Sequence, residues 1–373
     1  SAILRRPKSS MHMMHAAISS IASVFALNPP VSTSTTTGKK PLKRSEICGI
    51  LDSNSKGSEN KGMRVRIPCK KYPVPGLAGL LLSLLLCLFS MAALAGHDQG
   101  ADRALFWSIQ KNGNQFGYLL GTIHSEDPRV LDFSEDFLRK LNGNSVFAME
   151  LVPDLPTLAR LAKYMHYPPG QNLQSVIGAE RFNALVSALS AYKVPTEFIS
   201  SMKPWAAMMT LSTPPPNTGF FMDLSLSLRA SGSGLKLVGL ETLEQQLSFL
   251  ENMPLTMQLS LLDQAITEFD QVEAAHDQLV DAYLDNDLLE LQALSDEQLQ
   301  SISEAASNYF ITAGIHARNL RMVESLLPHL ENDRVFVAVG ALHLPGEKGL
   351  INLLRRQGFE LSPLDAPFSE ASE

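Results

Sequence analysis

Cysteine is nearly absent: the 373 residues contain three, Cys48, Cys69 and Cys87, and none lies beyond residue 95. Residues 96–373 therefore have no thiol nucleophile, no thiolate metal site and no internal disulfide. Basic charge is sparse in the same stretch, with 18 Lys and Arg against 35 Asp and Glu. A body at −17 has few cations with which to neutralise phosphates, and nucleic acid is excluded as the expected partner. No Gly-x-Ser-x-Gly elbow, P-loop, dinucleotide fingerprint or His-Glu-x-x-His motif occurs, so serine-hydrolase and nucleotide chemistries find no support. The chain is 45% apolar, and its length allows one large or two modest domains.

The first 95 residues lack the opposite sign, with 13 basic residues, 3 acidic ones and none acidic before Glu46. No charge occurs from Tyr72 to Gly96, and Leu77 to Ala92 is almost continuously Leu, Ala and Ser. The basic stretch Met63 to Lys71 precedes this run and Ala93-Leu94-Ala95 ends it. A basic region, a short apolar core and a small-x-small end make residues 63–95 read as a signal peptide, directing the chain to the periplasm or outside the cell. The alternative is an uncleaved anchor formed by the same segment, the one expected contact with a membrane. Residues 1–62, rich in Ser and Thr, read as a disordered leader. Signal peptides begin chains, so translation is expected to start at Met63.

In the body, Leu105–Gln110 and Phe116–Leu120 flank an Asn-Gly pair, the signature of a hairpin. Further apolar runs at Ser145–Met149, Leu235–Val238 and Arg334–Val339 suit strands covered on both faces. Helical periodicity marks Leu155–Tyr164, Ala179–Tyr192, Thr256–Asp285 and Ser295–Leu327. The expectation is one α/β domain over residues 96–373: a central, mostly parallel or mixed sheet with a large helical insertion at about 155–330. A helix over Gly349–Gln357 and a short strand near Phe359 would close it.

Four apolar runs end in polar groups. Two end in Gly-x-x-His, at His124 and His343, and two end in carboxylates, Glu150 and Glu241. Ligands collect at the carboxyl ends of strands in open α/β sheets, so these groups are expected in one crevice. A glycine three residues before each histidine would allow a sharp turn and close backbone approach to a ligand. Two neutral imidazoles and a carboxylate suit a divalent cation that lowers the pKa of bound water, with a second carboxylate as base. Glu241 reads equally well as the start of a helix, where negative charge is favoured. Arg318 and Asn319 lie on a predicted helix, where a solvated face is the default. His166, His276, His316 and His329 read as structural.

Gly-Thr-Ile-His124, Met-Glu150, Met202-Lys-Pro-Trp205, the Gly239–Gln246 stretch, Arg318-Asn319-x-x-Met322 and the Gly340–Gly349 stretch together resemble the TraB/GumN family, which includes PrgY and the Tiki proteases. The resemblance runs from about Phe106 to Phe359. It implies a fold similar to the ChaN and erythromycin-esterase group, and metalloprotease activity with Mn²⁺ or Co²⁺ as in the Tiki branch. It also implies that His124, His343 and Glu150 bind metal or catalyse, supported by Arg318 and Asn319; Glu241 is a further catalytic candidate from its place at a strand end alone. The expected function is an exported metal-dependent hydrolase using Mn, Co or Zn on a peptide or protein substrate. The alternative is a non-catalytic extracytoplasmic binding protein for a peptide or polysaccharide precursor.

Overall fold

The computed structural model describes residues 103–369. The leader and signal-peptide readings fall outside them. Six strands form one sheet: β1 (Phe106–Lys111), β2 (Asn114–Thr122), β3 (Val146–Met149), β4 (Lys236–Gly239), β5 (Val335–Gly340) and β6 (Glu360–Pro363). Their spatial order is β4-β3-β5-β2-β1-β6. Strands β4, β3, β5 and β2 are mutually parallel, while β1 runs antiparallel to both β2 and β6. The sheet is thus mixed, as expected, but β4 at its edge is only partly buried, so the run Leu235–Val238 is not covered on both faces.

The hairpin is closed by Asn112 and Gly113, both at positive φ, 52° and 74°. That geometry is the two-residue turn an Asn-Gly pair favours, because its twist matches the strands. Burial on both faces explains why β3 and β5 alternate so little. Phe106, Phe147 and Phe336 line one face; Phe147 stacks on Phe336, and Phe137 of the helix Glu135–Asn142 stands 5.2 Å from Phe106 and 5.5 Å from Phe336 between ring centres. Such edge-on aromatic contacts add to the stabilisation given by buried area. The helix Ala317–Asn332 packs against β2, and the helix Leu350–Arg356 packs against β6.

The helical regions divide more finely than the periodicity suggests. Thr256–Asp285 splits into Leu255–Thr267 and Val272–Leu284, with a 3₁₀ turn between them. Ser295–Leu327 becomes four segments: Leu288–Ser301, Glu304–Tyr309, a π-helical stretch Phe310–His316 and Ala317–Asn332. Ile302 is extended, and the Ser303 side chain accepts a hydrogen bond from the Ala306 amide, so a new helix starts there. Apolar spacing continues through these breaks, because side-chain caps and local widening do not alter it.

Asp296 sits half-buried on Leu288–Ser301 with its Oδ1 unpartnered, and burial raises its carboxyl pKa to about 6. A raised carboxyl pKa favours folding while the group is protonated, and that contribution disappears as pH rises from about 4 through 6. Asp296→Asn should therefore raise the melting temperature at pH 7.5 by about 2 °C, given the solvent screening at this site, and leave it unchanged near pH 4. Calorimetry at both pH values checks this; a gain independent of pH would contradict it.

Candidate functional site at the strand ends

Parallel pairing sets the order of the site. Thr122 lies beside Gly340, Met149 beside Ala338 and Met149 beside Gly239. The residues that follow those positions therefore run Glu241, Glu150, His343 and His124 along one edge of the sheet. Glu241 and His343 are closed to solvent at 0% side-chain exposure, Glu150 between them keeps 12%, and His124 at the far end has 23%. The deep end is walled in and the His124 end is open.

Arg318 joins the carboxylates at the deep end. Its Nε and Nη2 donate to Glu241 Oε2 at 2.8 and 2.6 Å, and Nη2 also donates to Glu150 Oε2 at 2.5 Å. Burial opposes the guanidinium charge, but Glu150 and Glu241 outweigh it and raise the pKa above its ordinary value. Arg321 adds a contact of 3.3 Å to Glu241 Oε1. Helix start and site, the two readings of Glu241, divide between neighbours. Thr242 caps the helix Leu243–Glu251 through a capping box with Gln245, and the carboxylate of Glu241 turns inward to the arginines. The π-helical stretch leads straight into Arg318 and Asn319, which are both buried. These two are not on the solvated face that a surface helix would give them.

Asn319 fixes the second Gly-x-x-His histidine. Its Nδ2 donates to the carbonyls of His343 at 3.2 Å and Lys348 at 2.7 Å, which turns Oδ1 toward His343 Nδ1 at 2.5 Å. Oδ1 can only accept, so Nδ1 carries the proton and Nε2 presents a lone pair. Burial, reinforced by the Arg318 charge, pushes the His343 pKa well below the usual imidazole range and keeps the ring neutral. His343 Nε2 is buried without a hydrogen-bond partner, 3.7 Å from Glu150 Oε1. Glu150 Oε2 accepts from Arg318 and from Gln246 at 3.2 Å, while Oε1 accepts from the Gly340 amide at 2.8 Å. Each carboxylate oxygen has two acceptor positions, so Oε1 retains one. Two unshared lone pairs thus face a common space, and facing lone pairs repel unless positive charge lies between them.

His124 is held differently. Its ring stacks on Phe221 at 3.9 Å, and Nδ1 stands 3.6 Å from Asp223 Oδ2. Asp223 and Gln246 were not visible as site residues in the sequence, because both belong to helices whose other positions are ordinary. His276 also reaches this neighbourhood, with Nε2 3.1 Å from Ser125 Oγ. Burial and the nearby His124 lower its pKa. Gly121 has a packing role: a Cβ there would come within 2.8 Å of Ala341 Cα. The glycine of the first motif thus lets two strand ends close on each other, where approach to a ligand had been expected.

The donor chemistry of His343 and Glu150 fits a divalent cation: a neutral buried imidazole nitrogen with no partner beside a carboxylate oxygen with a free position. The expected trio of His124, His343 and Glu150 is not closed. Among the described residues no group of three or more His, Cys, Asp or Glu is gathered to hold a metal ion. The reason is local: Phe221 and Asp223 hold His124, while Arg318, Gln246 and the Gly340 amide take three of the four acceptor positions of Glu150.

The fold and site thus define an α/β protein with paired strand-end histidines and a buried Arg–carboxylate network. A family model described as the TraB/PrgY/gumN family matches residues 105–363, and the chain belongs to that family. Curated relatives include Metalloprotease TIKI1 of Danio rerio, 24% identical over 72% of this chain and 65% of its own length. Metalloprotease TIKI2 of Xenopus tropicalis is 23% identical over 72% of this chain and 61% of its own. The chain thus spans less than two thirds of either relative. No solved structure matches, so the expected likeness to the ChaN and erythromycin-esterase group has no structural neighbour behind it.

Replacing Arg318 by Met leaves Glu150 and Glu241 without their buried counter-charge, which should cost about 3–5 kcal/mol of folding stability. Adding Glu150→Gln and Glu241→Gln to that variant should recover most of the loss. Urea unfolding measures both; a single-variant cost below about 1 kcal/mol would show that the carboxylates do not depend on Arg318.

Proposed function

We propose that the chain is an exported, metal-dependent hydrolase that cleaves peptide or protein substrates. The observation that carries this reading is the unpartnered, buried Nε2 of His343 beside the free acceptor position of Glu150 Oε1. Relatives named metalloproteases support the reaction class, and the basic-apolar-small pattern of residues 63–95 supports export. Among the described residues no helix is long and apolar enough to cross a membrane.

His343 and Glu150 would hold the cation, with His124 as the further ligand from the neighbouring strand. A bound Mn²⁺, Co²⁺ or Zn²⁺ supplies Lewis-acid polarisation and a water of lowered pKa. Every other part belongs to the chain. Asn319 fixes the His343 tautomer, so that Nε2 is always the free atom. Arg318 fixes the Glu150 rotamer and its charge, and the Gly340 amide orients Oε1. Glu241 balances Arg318 from a position closed to water and serves as a positioning residue. Substrate approaches from the His124 side, where the edge of the sheet opens. The acidic body suits a partner drawn from peptides with basic segments, through long-range attraction.

Titration calorimetry of the purified chain with Mn²⁺, Co²⁺ and Zn²⁺ should give one site, lost in His343→Ala and weakened at least tenfold in His124→Ala. Cleavage of a peptide library, followed by mass spectrometry, should depend on the same cation and stop with a chelator. Binding indifferent to both substitutions would defeat the proposal, as would cleavage that survives chelation.

A further inference from the structure

The two strand-end histidines are gripped at the same ring atom by different groups. His343 Nδ1 meets the amide oxygen of Asn319, whereas His124 Nδ1 meets a carboxylate, Asp223 Oδ2, at 3.6 Å. We infer that Asp223 is the positioning residue of His124, holding its proton on Nδ1 so that Nε2 faces the reaction space. This rests on the reading of His124 as a ligand in the proposed function.

Three independent contacts aim Asp223. Thr122 Oγ1, at the end of β2, donates to Asp223 Oδ1 at 2.6 Å and so leaves Oδ2 for the histidine. The Met222 amide donates to the Ser125 carbonyl at 3.0 Å, tying the start of the helix Met222–Gly232 to the residue after His124. The Glu126 carboxylate accepts from the amides of Asn217, Thr218 and Gly219 and from the Thr218 hydroxyl, and so clasps the loop that leads into Phe221 and Asp223. One short segment, Thr122 to Glu126, thus carries the histidine and also anchors its stacking ring and its carboxylate.

A carboxylate in the first turn of a helix gains from the helix dipole wherever it points. That gain does not explain the bond to Thr122 or the approach to His124. The gap of 3.6 Å exceeds a hydrogen bond, so this role requires the two side chains to draw together when a cation binds. Carboxylates or carbonyls that hold the far nitrogen of a metal-ligating histidine fix its tautomer and raise its basicity, and their loss costs about 10–100-fold in metal affinity. The two grips are unequal in charge, so His124 is the more electron-rich ligand and His343 the more rigid one.

The test uses the full ¹⁵N-labelled chain. Long-range ¹H–¹⁵N spectra of the histidine rings, with His124 assigned through His124→Gln, report which nitrogen carries the proton. The unaltered chain should show His124 protonated on Nδ1. Asp223→Ala should shift it toward the Nε2–H tautomer and weaken Mn²⁺ binding by calorimetry about 10–100-fold. Asp223→Asn should keep the tautomer, as Asn319 does for His343, and lose several-fold in affinity; it also serves if the alanine variant does not fold. An unchanged tautomer in Asp223→Ala overturns the inference, as does unchanged Mn²⁺ affinity in Asp223→Asn. If the unaltered chain binds no cation but the tautomer shifts as described, the metal reading fails and the role of Asp223 stands.

Discussion

The buried guanidinium of Arg318 is the constraint on which the rest of the site depends. Glu150 and Glu241 end adjacent parallel strands, and backbone pairing continues past the strands through the Glu241 amide and the Glu150 carbonyl at 2.9 Å. That register forces the two carboxylates together in a region closed to water. Like charges so placed are tolerable only with a cation between them, and one fully buried arginine reaches both through three hydrogen bonds of 2.5–2.8 Å. The planar fork makes this possible; a lysine could not give the same directed contacts.

Arg318 and its neighbour Asn319 then set the chemistry by adjacent contacts on one helix. Arg318 takes one oxygen of Glu150, which leaves the other, Oε1, turned to the Gly340 amide and His343. Asn319 takes Nδ1 of His343, which leaves Nε2 turned to Glu150. The positive charge of Arg318 also helps to keep His343 neutral. A residue that neutralises two acids thus also preserves an imidazole lone pair, and both effects follow from its position.

Much of the frame was legible in the sequence, because strands buried on both faces leave continuous apolar runs and an Asn-Gly pair announces its own turn. Glu150, His124 and His343 were legible for the same reason, since a carboxylate or imidazole is conspicuous after four or five buried positions; Glu241 follows a strand that is only partly buried. Asp223 left no such trace. It follows Phe220-Phe-Met222, and its role comes from a bond to Thr122 across 101 residues, which no local period records. The π-helical stretch before Arg318 was equally silent, since widening a helix changes which side faces inward without changing composition. Gly121 was conspicuous but its purpose was not, because the neighbour that excludes a Cβ, Ala341, is distant in sequence.

The lack of thiols throughout the body has a bearing on the site. Without cysteine, a site of this kind can rely only on imidazole and carboxylate, and both must be deprotonated to bind a cation. Carboxylates meet that condition across neutral pH, but a histidine near its ordinary pKa meets it only in part. Burial removes that dependence at His343, at the cost of a nitrogen with no protein partner. His124 is partly exposed and lies at the open end, 3.6 Å from Asp223. The two Gly-x-x-His motifs therefore differ in depth and in their holders, the buried one fixed by Asn319 and the exposed one stacked on Phe221 beside Asp223.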